Sequence, residues 1–209
     1  LRETTAREEE PMPYTPEHKE RTRRRIVQSA RRLFNRHGFN GVSIDEIMAE
    51  AGLTRGGFYN HFNTKEELYA EVVQQVLACR EGEDKGHANG TRPLSNGGEF
   101  IAAYLSRAHF DDRDNGCPLM ALPSDVARGG EPAKRAYRLV LEYMIEHLQA
   151  EVPGADPRRR ALAVAALCIG GMAVARAVDD TELAHELREA ALDMALTLGG
   201  WNKLPAAAE

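Results

Sequence analysis

The run Thr54-Arg-Gly-Gly-Phe-Tyr-Asn-His-Phe62 gathers side chains suited to docking on a polyanion rather than to breaking bonds. Thr54 stands at a helix start, where free N–H groups attract phosphate, and Gly56 and Gly57 let a second backbone come close. Arg55, Tyr59, Asn60 and His61 add a cation, a phenol, an amide and an imidazole to that surface.

Other reactive side chains are scattered. Cys117 lies between Gly116 and Pro118. Proline favours the first helical position, so the thiol is expected at an N-cap whose dipole lowers its pKa, open to oxidants or electrophiles. An inert cysteine at a loop-to-helix junction is the plainer reading. Cys168, between Leu167 and Ile169, reads as core, and Cys79 ends a helix. Three cysteines without a CxxC suggest neither a disulfide framework nor a zinc site. His109, Asp111, Asp112 and Asp114 have metal-capable side chains but read as a solvated turn, so no metal and no cofactor are expected. Ser124-Asp125 and Ser106-Arg-Ala-His109 offer hydroxyl, acid and imidazole outside any Gly-x-Ser-x-Gly context. With HExxH and a phosphate-cradling glycine loop also missing from the sequence, no catalytic residue is assigned and an enzyme is not expected.

The elements that must carry these groups are helical. Ile26, Val27, Ala30, Leu33 and Phe34 recur at helical spacing between about Pro16 and His37, and Gly38 supplies a stop. Ser43 and Glu46 form a capping box for a short helix with Ile44, Ile47, Met48 and Ala51 on one face, and Gly52 permits a sharp turn. Thr54 is expected to cap a third helix reaching about His61. Thr64 and Glu67 begin a fourth, lined by Leu68, Val72, Val73, Val76 and Leu77. Helix, glycine turn, short helix is the helix-turn-helix arrangement, with Ile47, Ala51 and Phe58 as its core. Apolar-periodic stretches follow near 98–111, 118–128, 131–151, 157–178 and 180–199. None alternates with period two, so the fold is expected to be all-α with about nine helices.

Charge sharpens the functional reading. The chain carries a net −5, yet residues 17–65 hold ten Lys/Arg against five Asp/Glu, so a local +5 stands against −10 elsewhere. Arg21, Arg23, Arg24 and Arg25 at the start of the first helix either reach a phosphate or the minor groove or form a solvated face. No apolar run is expected to span a bilayer, and an N-terminus with Glu8, Glu9, Glu10 and three prolines fits neither a signal nor a transit peptide, so a cytoplasmic protein is expected.

The run from Ile26 through Leu68, with Ala30, Leu33, Phe34, Gly38, Ile47, Ala51, Gly52, Tyr59, Phe62 and Lys65-Glu66, resembles the TetR family signature. The resemblance implies a homodimeric repressor of transcription that binds a palindromic operator and is released by a small-molecule effector. The same family also holds activators. By position, it assigns Ser43, Thr54, Tyr59, His61 and Lys65 to phosphates, and Arg55, Gly56, Gly57 and Asn60 to bases. Arg55 is the leading base reader, because bidentate Arg to guanine is worth about 1–3 kcal/mol of discrimination. Family members often have a bulkier residue where this chain has Gly57.

The implied organisation is a flexible arm (1–16), a helix-turn-helix domain (17–64), a connecting helix (65–80), a sensing and dimerisation domain (81–202) and a tail (203–209). A glycine-rich loop lies at about 82–98, with the linkage near Cys79. Ala163, Ala166, Gly170, Gly171, Ala173 and Ala177 permit close helix approach and resemble the family's dimerising pair at 157–178 and 180–199. Candidate pocket residues are Phe100, Tyr104, Phe110, Met120, Tyr137, Leu141, Met144, Met172 and Arg176; a plain core role competes for each. For Arg176, pairing with Asp179 or Asp180 competes with holding an acidic ligand. A thiol-redox or electrophile-responsive regulator using Cys117 is the alternative to release by a bound effector.

Overall fold

A computed structural model describes the backbone of residues 15–80 and 96–201, and the side chains of these except 76–80. Most of the arm, residues 82–95 of the glycine-rich loop, the Val76, Leu77 and Cys79 side chains and the tail lie outside the described residues. The elements in order are α1 (Pro16–His37), α2 (Ile44–Glu50), a 3₁₀ helix (Arg55–Asn60), α3 (Lys65–Arg80), α4 (Gly97–Tyr104), α5 (Arg107–Asp111), α6 (Pro118–Ala121), α7 (Pro123–Arg128), α8 (Glu131–Glu151), α9 (Pro157–Ala177) and α10 (Thr181–Gly199). The described residues hold helices and turns and no strand.

Local signals set the first three elements. The Thr15 hydroxyl accepts from His18 N–H ahead of Pro16, and α1 buries Ile26, Val27, Ala30 and Phe34, with Leu33 only partly covered. Gly38 ends α1 at φ 71°, a left-handed conformation that disfavours a side chain. A Cβ there would also stand 2.8 Å from the Asp125 carboxylate, which accepts from Phe39 N–H and ties this end of α1 to α7. The Ser43–Glu46 capping box forms in both directions, and Gly52 turns the chain at φ 65°.

Two expectations change in detail. The third helix is a 3₁₀ helix, and Thr54 makes no side-chain cap; two adjacent glycines have little helical preference, and short 3₁₀ turns serve such connectors. Thr64 does cap Glu67 N–H, but the Glu67 carboxylate reaches back to Asn63 N–H, one residue beyond a reciprocal box.

α3 passes from one half of the molecule to the other, packing on α1 and then on α8, with Leu68, Tyr69, Val72 and Val73 buried. The stretch near 98–111 divides where the Ser106 hydroxyl accepts from His109 N–H and restarts the chain as α5. The stretch near 118–128 divides at Pro123, which has no N–H to give the Leu119 carbonyl; the Tyr137 hydroxyl donates to that carbonyl instead, at 2.7 Å. Eleven helical segments therefore replace about nine among the described residues.

α9 and α10 form the tightest pair, because a Cβ on Gly171 would meet the Ala191 Cβ at 2.5 Å. α10 ends in a Schellman motif, Gly200 N–H to Thr197 and Trp201 N–H to Leu196. Buried Arg188 donates to the Leu105 carbonyl and Arg160 to the Leu198 carbonyl, each satisfying a helix end. One expectation is corrected here: α9 is long and apolar enough to cross a membrane by length and composition. In this fold it lies against α8 and α10 instead, and much of its apolar surface is left uncovered.

Gly171→Ala is expected to lower unfolding stability by about 1–3 kcal/mol through overpacking, outweighing the about 0.5–1 kcal/mol that alanine gains over glycine inside a helix. Urea denaturation measures it; an unchanged or raised midpoint would show that α9 and α10 part freely.

Candidate nucleic-acid interface

The 3₁₀ helix is anchored on one side and open on the other. Phe58 and Phe62 are buried with ring centroids 5.7 Å apart, while Thr54, Arg55, Gly56, Tyr59 and Asn60 are exposed and Gly57 is partly so. A Cβ on Gly56 would meet no atom within 4 Å, and one on Gly57 only the Met48 methyl at 3.5 Å. Neither glycine has a positive φ, so the protein's own packing requires neither.

Arg23 fixes this turn from beneath. Its guanidinium lies 4.0 Å over the Phe62 ring, donates to the His61 carbonyl and forms an ion pair with Glu71 of α3. Sequence reasoning left Arg23 in a cluster of four possible phosphate contacts; its tertiary partners give it an internal role. Arg25 is likewise engaged by the Ala51 carbonyl at the α2 turn. Arg21 and Arg24 remain exposed, near His18 and Glu20.

The assigned phosphate group is placed as follows. Ser43 is the exposed N-cap of α2, and its N–H and hydroxyl donate to Glu46, whose carboxyl they hold below its ordinary range. The Thr54 carbonyl accepts from Gly57 N–H, and the Tyr59 ring meets Phe58 edge-on. Lys65 begins α3 with its ammonium 4.2 Å from the Phe39 ring centroid and donating to the Phe39 carbonyl; burial lowers its pKa. Among the base group, Arg55 pairs with Asp45 at 2.6 Å, both side chains more than half exposed, and such a pair is worth about 0–1 kcal/mol. The local +5 is thus partly spent, since Arg32 also pairs with Glu50 and Arg36 with Asp114.

In the other half, a cavity of about 10 Å³, room for about one water, lies among α4, α6 and α8 and is lined by Phe100, Tyr104, Cys117, Leu119, Val140, Tyr143 and Met144. Three of the expected pocket residues meet there: Phe100, Tyr104 and Met144. Tyr137 holds the Leu119 carbonyl, and Met120 and Met172 are buried. Phe110 and Leu141 are partly buried against the core without lining this cavity. Arg176 pairs with neither Asp179 nor Asp180 in the bonds it makes; it donates to the carbonyls of His109, Phe110 and Asp112, which end or follow α5, and burial lowers its pKa. Cys117 is the N-cap residue of the four-residue α6 and makes no side-chain cap bond. Leu119, Val140 and Tyr143 went unnoticed in the sequence, since nothing local separates a cavity wall from core.

The His61 imidazole is partly buried, and its Nδ1 has no hydrogen-bond partner. Burial, then the charges of Lys19 and Arg23, lower its pKa below the ordinary value. The unfolded chain takes up this proton at a higher pH than the folded one does, so stability falls as pH drops through about 6.5. His61→Gln is expected to flatten that fall between pH 7 and 5 in chemical denaturation, and an unchanged slope would mean the ring titrates as it does in water.

Comparison with known proteins follows the same division. The family described as "Bacterial regulatory proteins, tetR family" matches residues 26–72, which span α1, α2, the 3₁₀ helix and half of α3. The chain is 26% identical over 98 residues to the uncharacterized HTH-type transcriptional regulator YfiR of Bacillus subtilis, covering 47% of this chain and 43% of that protein. It is therefore matched over less than half the length of that curated relative. Two solved structures share its fold. The reduced form of E. coli NemR has a TM-score of 0.67 at 20% identity, covering 85% of this chain and 96% of that one. A TetR transcriptional regulator from Chloroflexus aurantiacus has a TM-score of 0.62 at 25% identity, covering 88% and 96%. The helix-turn-helix region, residues 26–72, is thus that of the tetR family of bacterial regulatory proteins, and the all-helical architecture is shared with a TetR transcriptional regulator along most of the chain.

Proposed function

We propose that the protein is a homodimeric transcriptional repressor that binds a palindromic operator and is released by a small-molecule effector. The observation that carries the reading is the turn at Thr54–Asn60, anchored by Phe58, Phe62 and Arg23 and otherwise bare. Glycines that the fold does not need are accounted for by a second backbone pressed against them. In this reading Ser43, Thr54, Tyr59, His61 and Lys65 position the DNA backbone, while Arg55, Gly56, Gly57 and Asn60 face base edges. Arg55 exchanges its solvated pair with Asp45 for a guanine, at little cost.

Dimerisation gathers support from α9 and α10. Leu162, Ala166, Gly170 and Val174 recur every four residues on α9, exposed or partly so, and a Cβ on Gly170 would meet open space. Leu183, Leu187, Ala190 and Met194 make a similar stripe on α10. A second copy covering both stripes forms a four-helix interface and sets the two recognition turns about 34–36 Å apart, one turn of DNA.

Release works through population shift: an effector favours a conformation with altered spacing. Support comes from α8, which supplies Val140, Tyr143 and Met144 to the cavity wall and also packs along α3, itself packed on α1.

Fluorescence anisotropy with operator selected from a randomised DNA pool, over a range of salt, tests the reading. Arg55→Ala is expected to relax sequence preference at one base pair by about 1–3 kcal/mol. Lys65→Ala is expected to weaken binding across sequences and reduce the salt slope by about one. Absence of salt-sensitive binding would refute the proposal. Val174→Glu is expected to yield a folded monomer in analytical ultracentrifugation that no longer selects a palindrome; a stable dimer of this variant would place the interface elsewhere.

A further inference from the structure

α1 clasps three consecutive main-chain carbonyls of the segment between α5 and α6. Asn35 Nδ2 donates to those of Asp114 and Gly116 at 3.0 and 3.1 Å, and Arg31 Nη2 to that of Asn115 at 2.6 Å. Two guanidiniums of α1 meet this segment with the same edge, Nε and Nη2, and are filled differently. Arg36 sets both nitrogens on the two oxygens of the Asp114 carboxylate. Arg31 has one oxygen for the same fork: its Nη2 takes the Asn115 carbonyl, while its Nε is buried and has no partner. A buried unpaired donor costs free energy, and a carboxylate in place of that carbonyl would satisfy it.

The residues under this clasp can supply that carboxylate. Asn115 is exposed and is followed by Gly116, where the fold admits no side chain: a Cβ would stand 2.9 Å from Arg176 Nη1 and 3.0 Å from the Met120 methyl. Nothing on Gly116 hinders its nitrogen from approaching the Asn115 side-chain carbonyl carbon, and its N–H has no acceptor among the described residues. When that N–H loses its proton, negative charge spreads onto the Asn115 main-chain oxygen, to which Arg31 already donates. A fixed cation at the atom that gains charge lowers the barrier. Two other Asn–Gly pairs lack this arrangement. Asn96 Oδ1 is committed to Glu99 N–H at the start of α4, and the cation nearest Asn40, Lys65, donates to the Phe39 carbonyl instead. A fourth pair, Asn89–Gly90, lies outside the described residues.

We infer that Asn115 is a self-modification site that converts to isoaspartate, with Arg31 promoting ring closure and directing the ring's opening. Hydroxide removes the Gly116 amide proton, and the nitrogen attacks Asn115 Cγ, forming the N–C bond of a cyclic imide. The Cγ–Nδ2 bond breaks, and Nδ2 leaves as ammonia with a proton from water, which restores the hydroxide. A water molecule then adds to one of the ring carbonyls. Attack at Cγ gives aspartate. Attack at the former main-chain carbonyl, which Arg31 polarises, breaks its bond to the Gly116 nitrogen and gives isoaspartate, whose backbone runs through Cγ. Asparagine and water are consumed, isoaspartate and ammonia are formed, and nothing is oxidised or reduced.

Isoaspartate frees the α-carboxylate where the Asn115 carbonyl stood, and its second oxygen is the acceptor that Arg31 Nε lacks. It also adds one carbon to the backbone between the Asn115 Cα and Gly116, so Asn35 no longer spans the carbonyls of Asp114 and Gly116. The clasp loses one grip as it strengthens another. The start of α6 thereby shifts against α1, the helix that anchors the 54–62 segment through Arg23. This consequence rests on the repressor reading; the chemistry at Asn115 does not.

The test ages the full chain in mildly alkaline buffer, folded and in urea, and follows each asparagine by peptide mass spectrometry with enzymatic methylation of isoaspartate. In the folded chain Asn115 is expected to deamidate at least about tenfold faster than Asn96 and to give a larger isoaspartate share than it gives in urea. Arg31→Ala, checked for wild-type helical circular dichroism, is expected to slow the folded reaction about tenfold and to return the product split to its urea value, changing neither in urea. The wild-type comparison with urea stands whether or not that variant folds. An equal split in the two states, or a folded Arg31→Ala chain that reacts as fast as wild type or faster, overturns the site. Operator binding, read by anisotropy, is expected to fall severalfold as the wild-type chain ages and to persist in Asn115→Gln, whose longer side chain closes the ring far more slowly. Equal loss in both chains, or no loss once Asn115 is converted, overturns the link to α1. A chain that binds no operator before ageing refutes the repressor reading and leaves the modification to stand on the mass spectra.

Discussion

The geometry of the recognition turn depends on one guanidinium. Arg23 is planar, so it lies flat on Phe62 while its edge serves both the His61 carbonyl and the Glu71 carboxylate. Three elements meet at that group: α1 supplies it, the chain leaving the 3₁₀ helix is held by it, and α3 neutralises it. A lysine has the charge but neither the flat face nor the forked donors. With two glycines and no side-chain cap, the turn has little conformational preference of its own, and its shape comes from these anchors together with Phe58.

The same device recurs through the molecule. Arg25, Arg31, Arg160, Arg176 and Arg188 each donate to main-chain carbonyls of a distant or turning segment. Short helices such as α5 expose several carbonyls for few internal bonds, and a long cationic side chain from a neighbouring long helix satisfies them. The fold therefore uses part of its basic composition as mortar. A count of charge along the sequence overstates how much positive charge faces outward, because Arg23, Arg32, Arg36 and Arg55 have carboxylate partners.

The two halves of the chain are joined by more than α3. Asn35 and Arg36 hold residues 114–116, and Asp125 accepts from Phe39 N–H where a side chain on Gly38 would collide. Around the same junction, Phe34, Phe39 and Tyr69 stack with centroids 4.8–5.7 Å apart beneath the Lys65 ammonium. α1, which anchors the 54–62 segment through Arg23, is thus in contact with the segment that leads into the cavity wall.

What the sequence determined by itself is local. The buried face of α1, the Ser43–Glu46 box, the turn at Gly52 and the Thr64 cap follow from interactions three or four residues apart, which one chain segment contains in full. The buried side of 54–62 was legible in part, since Phe58 was expected in the core, whereas the burial of Phe62 beneath Arg23 came from the tertiary structure. Only the tertiary structure decided what Arg23, Arg176 and Tyr137 touch, and that Cys117 faces Tyr104. Those partners lie across sequence separations such as 38 residues for Arg23 and His61 and 67 for Arg176 and His109, so their meeting depends on how whole helices pack. The 3₁₀ form of the recognition turn belongs with them, because a glycine pair leaves the backbone free and anchors from other helices choose its path.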